Sequence, residues 1–270
     1  MNKTLLTALI MGLFSTLANA HAPYTAPVSF NVTGGHSAVL AGFADAPFDS
    51  EVAIRGFEFK VITPSGATKS LNLTNTQTVS VGDIETTEAG TYQILGQREA
   101  AIKYAKVGQR WLRILDTKGA ALAPAQKNHF IAESELTNKM QQMSVMRFDE
   151  VRSYFSKQND SDLMPVAEEN VNLKYSVHPR KLRQSVPLTL TVTVNKQPAQ
   201  HFKAVLEKQK ASADEQELKI ETTANARGEL QLQFPVAGNY ILTLTSPELD
   251  AKQKPEANTY RTIVSLNVQP

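Results

Sequence analysis

From Val186 to Val194 the chain reads VPLTLTVTV. Leu188, Leu190, Val192 and Val194 fall on one side, and Thr189, Thr191 and Thr193 on the other. A repeat of two suits a strand with one buried face; wound as a helix, the same apolar residues would scatter around the axis. GELQLQF repeats the pattern with Leu230, Leu232 and Phe234, and NYILTLT and TIVSLNV follow at hairpin spacing. Several short strands with regular turns indicate a β-sandwich.

Residues 21–115 also read as β. VSFNVTGGHSAVLAGFADAPF gives two β-rich runs around the turn signal Thr33-Gly34-Gly35. Phe57, Phe59 and Val61 alternate up to a break at Pro64-Ser65-Gly66, and Leu71 and Leu73 resume beyond it. AGTYQIL and QRWLRIL are further strands. One echo links the two halves: Glu88-Ala89-Gly90-Thr91-Tyr92 and Val236-Ala237-Gly238-Asn239-Tyr240. In each, a glycine turn feeds a strand opened by tyrosine. The echo suggests two domains of similar architecture, with each tyrosine packing a sandwich corner.

The middle is less regular. Residues 120–126 read as a loop, AESELTNKMQQM as a short helix, and SVMRFDEVRSYFSK as helix or strand. SKQNDSD is a polar linker that places a domain boundary between about 158 and 170. The expectation is an all-β protein with two immunoglobulin- or transthyretin-like sandwich domains, 21–115 and 170–270, joined by an irregular segment, 116–169.

Residues 1–20 read as a secretory signal: Lys3, an apolar core from Leu5 to Leu17, and the cleavage site Ala18-Asn19-Ala20. Cleavage there makes His21 the first residue of a soluble periplasmic protein. No later run reaches the roughly 18 apolar residues of a membrane span. The chain has no cysteine, which excludes thiolate metal sites and thiol nucleophiles. Its 28 basic and 26 acidic residues are interspersed, so no nucleic-acid surface is expected.

Several stretches resemble the NikM-like periplasmic proteins of a family of unknown function, often labelled a nickel- or cobalt-uptake component. His21 matches the family's histidine directly after the signal. GTYQI at Gly90–Ile94 and GQRWLRI at Gly108–Ile114 are similar to its strand and basic-tryptophan stretches. VHPRKL at Val177–Leu182 resembles its His-Pro element. NKQPAQHFKAVL resembles its second-domain hairpin, with Lys196 where glycine is usual. ANARGELQLQFPVAGNYILTL resembles its carboxy-terminal signature, with Ala224 and Asn225 replacing a threonine and an aspartate. The resemblance implies an exported two-part β protein with a role in metal uptake, and it favours strand for SVMRFDEVRSYF.

Metal ligation without cysteine needs imidazole, carboxylate or amine. A terminal His21 offers its α-amine and its ring, which close a chelate on one ion. One further imidazole would complete a three-nitrogen set suited to Cu(II) or Ni(II). Pro23 has no N–H, which excludes the amino-terminal motif built on a third-position histidine. The partners expected are His36, after Gly34-Gly35 and close to the amino terminus, and His178, held extended by Pro179. His129 reads as a packed residue and His201 as an exposed hairpin residue. No zinc-protease, phosphate-loop or calcium-loop motif occurs, and GGHSA is not a nucleophile elbow. Glu168-Glu169 reads as solvated linker, and RWLR and RKLR as edge-strand gatekeepers.

The first functional expectation is a non-enzymatic periplasmic accessory protein that binds or delivers nickel, cobalt or copper. His21, His36 and His178 are its ligands, and its partner is a metal-transporter component in the inner or outer membrane. The alternative is a metal-free sandwich module that binds protein or carbohydrate. A copper oxygenase with Tyr24 or Phe30 beside the metal ranks last.

Overall fold

The computed structural model describes residues 22–122, 130–166 and 169–270. The fold is almost entirely β and sandwich-like, as the alternating stretches predict. The described residues form three sheets, of five, eleven and four strands.

The five-stranded sheet holds Ala22–Pro27, His36–Ala44, Ser50–Ala53, Thr74–Asn75 and Ser80–Glu85. Its inner residues include Tyr24, Val39, Ala41 and Ile84. They pack on Phe59, Val61, Tyr92, Ile94, Val151, Phe155, Ile241 and Ile263 of the eleven-stranded sheet, forming the first core. The four-stranded sheet holds Val171–Tyr175, Leu188–Val194, Gln197–Pro198 and Glu229–Leu232. Its Leu188, Leu190, Val192, Leu230 and Leu232 face Tyr154, Leu206, Tyr240, Leu242, Leu244, Val264 and Leu266 in the second core.

Residues 144–157, read as helix or strand in the sequence, form with the two residues before them the strand Gln142–Lys157 at the heart of the molecule. Its neighbours are Gly90–Val107, antiparallel from Gly90 to Ala105, and Thr259–Val268, parallel from Thr259 to Ser265. Adjacent residues of this region enter different cores. Val151 and Phe155 join the first and Tyr154 the second; Ile263 joins the first and Val264 the second; Ile241 joins the first and Leu242 the second. Alternate strand residues point to opposite faces, so the two cores lie on opposite sides of one shared sheet. The sheet therefore runs uninterrupted past the linker at 158–166.

The rest of the middle segment differs in detail from the expectation. AESELTNKMQQM contributes only a single 3-10 turn, Glu133–Glu135, before the long strand begins. A short helix occupies Thr117–Leu122, and the remainder of the expected loop lies outside the described residues.

Both echoed tyrosines are fully buried, and each hydroxyl donates to the carbonyl four residues back. Tyr92 reaches Glu88 O at 3.0 Å and Tyr240 reaches Val236 O at 2.6 Å. The glycines before them, Gly90 and Gly238, sit at φ 128° and 142°, where a side chain would be strained.

Candidate functional site

Of the histidines singled out in the sequence, His36, His178 and His201 lie within the described residues and belong to no group that could hold a metal ion. His21 and His129 lie outside the described residues. Ala22 pairs with Ala44, whereas His36 opens the same strand, His36–Ala44, at its other end. Eight residues of strand separate the two positions, about 26 Å at roughly 3.3 Å per residue. The register thus corrects the expected proximity of His36 to the amino terminus. His36 Nδ1 instead lies 2.8 Å from Asp83 Oδ2, with the side chains 65% and 66% exposed. An exposed pair of this kind adds little stability. His201 is exposed in its turn, as expected, with φ at 61°. Among the described residues, no three His, Asp or Glu side chains are grouped to hold a metal ion.

His178 sits at the junction of the cores. Burial lowers its pKa, against the opposing pull of Asp160 and the Ser161 backbone. It is therefore neutral at pH 7, and its Nδ1 accepts the Arg180 N–H at 3.3 Å. Arg180, expected at an exposed edge, is 1% exposed and stacks 5.6 Å from the Phe30 ring centroid. Its Nε and Nη1 have no partner among the described residues.

The central strand carries two charged clusters, one on each face. Arg152, facing the second core, donates to Glu150 at 2.6 Å, to Glu169 at 3.1 Å and to the Val171 carbonyl. Gln97 and the Asn170 N–H complete the shell of Glu150. Glu169, expected to be solvated, is thus one wall of a buried ion cluster. Burial, the largest single influence, works against the charge on Arg152, but Glu150, Tyr154 and Glu169 together outweigh it and hold the guanidinium above its ordinary pKa.

The opposite face holds the reverse balance. Asp149 is fully buried and stands in register with Arg98 on one side and Arg261 on the other. Arg98 Nη2 donates to Oδ2 at 2.6 Å; Arg261 Nε and Arg147 Nε both donate to Oδ1, at 2.8 and 3.0 Å. Three guanidinium groups share one carboxylate. Burial raises the Asp149 pKa, yet Arg261, Arg147 and Arg98 together hold it below the usual carboxylate range. Burial lowers Arg261 to about 10, with Arg147 and Arg98 adding to the fall and Asp149 resisting it. Arg113 is lowered too, by burial and then by Arg147.

An aromatic wall borders the row. The Arg98 guanidinium lies 4.9 Å from the Phe57 ring centroid and 5.9 Å from that of Phe43. Phe43 is the register partner of Pro23, so the row marks the end of the first core at which the first strand begins. Phe57 also lines a groove of about 550 Å³ with Ile54, Lys60, Leu71 and Leu73. None of Arg98, Arg147, Asp149 or Arg261 stands out in the sequence. The one local signal was a pair of adjacent acidic residues, Asp149-Glu150, inside an otherwise strand-like run.

No curated protein matches the chain. Among solved structures it is similar, at 14% identity and a TM-score of 0.23, to a DUF4785 family protein of Legionella pneumophila. The match covers 82% of this chain and 51% of that one, so the chain spans about half the length of the Legionella protein. The D0-D1 domain of intimin matches at 8% identity, over 90% of this chain and 97% of that one, with a TM-score of 0.22. The FN1-FN3 domains of chicken CNTN1 match at 8% identity, over 93% and 100%, also at 0.22. These scores are too low to bear on function. A protein family described as "Domain of unknown function (DUF4198)" matches residues 18–247, most of the sequence, and the chain belongs to that DUF4198 family.

Proposed function

We propose that the protein is an exported, non-catalytic binding module that holds its ligand at the end of the first core where the mature chain begins. What supports the reading is the row Arg98–Asp149–Arg261 with Arg147, a concentration of positive charge beside Phe43 and Phe57. Such a row repels a bare divalent cation. A metal held at this end needs the neutral amine and ring of His21, or an anionic companion that the arginines attract.

Delivery of nickel, cobalt or copper in the periplasm to a membrane transporter component belongs to the proposal in that form. His21 is the ligand it requires. His36 is not a partner for a chelate at this end, because the register puts it at the other end of its strand. The test is titration of Cu(II) and Ni(II) into the chain beginning at His21, and into the same chain with one residue added before it. The extension displaces the amine while every side chain remains, so affinity should fall sharply. His36→Ala should leave it unchanged. Equal affinity with and without the extension removes the amino-terminal chelate.

A further inference from the structure

We infer that Arg147 and Arg261 bind a small dianionic oxyanion at the rim of the first core, each guanidinium gripping it through its two terminal nitrogens. The inference rests on the binding-module reading above and names the chemistry of the ligand.

The first ground is donor geometry. Arg147 and Arg261 each engage Asp149 through Nε alone, on the same oxygen, Oδ1. Among the described residues their Nη1 and Nη2 atoms have no hydrogen-bond partner, and the side chains are 26% and 16% exposed. Asp149 therefore serves as a pivot. It fixes the inner edge of both guanidinium planes and leaves both outer forks facing solvent. A planar fork with two parallel N–H donors matches a carboxylate or phosphate edge.

The second ground is charge. Arg98, Arg147 and Arg261 surround one carboxylate, which leaves two positive charges unbalanced. The Arg152 cluster on the other face of the same strand shows the contrast. There one guanidinium meets two carboxylates, a backbone carbonyl fills its remaining edge, and the cluster is closed. The row around Asp149 is left open by comparison, and a ligand of charge minus two balances it. The third ground is Arg98, whose face is covered by Phe57 and Phe43 and whose Nε has no partner among the described residues. The two aromatic faces lower the local dielectric beside Arg98, which strengthens the attraction there.

The test uses the full processed chain and two probes, inorganic phosphate and succinate, each titrated alone by calorimetry at matched ionic strength. One probe or both should bind saturably, one per chain. Arg147→Gln and Arg261→Gln should each weaken binding about tenfold. Arg261→Lys should weaken it nearly as much, because a point charge does not replace a fork. Binding of succinate only identifies a dicarboxylate, and of phosphate only a phosphate ligand. Melting curves keep the result independent of folding. The bound probe should raise the wild-type melting temperature and leave that of a folded Arg147→Gln/Arg261→Gln double variant unmoved. Saturable binding of neither probe, or binding unchanged in the double variant, overturns the inference. Cu(II) and Ni(II) titration of the same proteins separates the two readings: metal binding without anion binding retires the dianion and leaves the binding module, and binding of neither retires both.

Discussion

Arg180 reaches back across 149 residues of sequence to Asn31, and its Nη2 donates to the amide Oδ1 at 2.6 Å. Asn31 belongs to the short strand Asn31–Val32, which pairs with Ser156 and Lys157 at the end of the central strand. The bond therefore ties the loop that enters the second core to an edge of the first. Burial lowers the pKa of this arginine, with Asp160 opposing, and two of its nitrogens have no partner among the described residues. Its packing should accordingly matter more than its charge. Arg180→Ala is expected to cost about 2–4 kcal/mol through the cavity it opens, and Arg180→Met to recover most of that. Urea denaturation of the two variants checks this. Equal losses would show that the charge itself holds the junction.

The tyrosine corners should be separable. Tyr92→Phe and Tyr240→Phe each remove a hydrogen bond without opening a cavity, at a cost of about 1 kcal/mol. Tyr92 should cost more, because its hydroxyl also accepts the Glu88 N–H at 2.9 Å. Tyr92 packs in the first core and Tyr240 in the second, so the double variant should lose the sum. Thermal unfolding of the three variants measures it. A double loss well beyond the sum would mean that the cores unfold as one tightly coupled unit.

Asp149 sets an acid limit on stability. Its folded pKa lies below its unfolded value near 3.8. Its contribution is therefore complete above that value and is lost as the pH falls through the folded pKa. The wild-type melting temperature should drop as the pH falls below about 4, and Asp149→Asn should flatten that limb. At pH 7 the same variant should be less stable by about 3–5 kcal/mol, because three arginines lose their one counter-charge. An equally steep acid limb in the variant would place the loss on other carboxylates.

Cleavage of the linker should not separate the halves. Residues 158–166 have no regular structure, and limited proteolysis should cut there. Arg147–Ser153 nevertheless pairs with Thr259–Ser265 across the cut, and the Arg180–Asn31 bond adds to it. The two fragments should appear on a denaturing gel yet elute together under native conditions. Separate elution would favour two independently folding domains of the kind the linker suggests.

Much of the fold was legible where one face of a strand meets solvent. Leu188, Leu190 and Val192 are buried while their threonine neighbours are only partly covered, and Ser80–Glu85 alternates buried and exposed without a break. The tyrosine corners were legible too, because the glycine, the turn and the acceptor lie within five residues. SVMRFDEVRSYFSK was not, and the reason is its position. From Asp149 to Ser156 every residue is buried, since the strand has a core on each face, and a strand covered on both sides keeps no period to read.

The site was further from view. Arg98 is 51 positions from Asp149 and Arg261 is 112, and nothing near any of them marks the others. Likewise the separation of His36 from the start of the first strand depends on a register in which Ala22 meets Ala44. The sequence by itself determined which half-exposed segments become strands, because alternation and turn chemistry act over a few residues. The tertiary structure alone decided which strands lie side by side and at what register, because those pairings are set by burying both faces of a sheet drawn from distant parts of the chain. The charge row at the rim exists only as a consequence of that pairing.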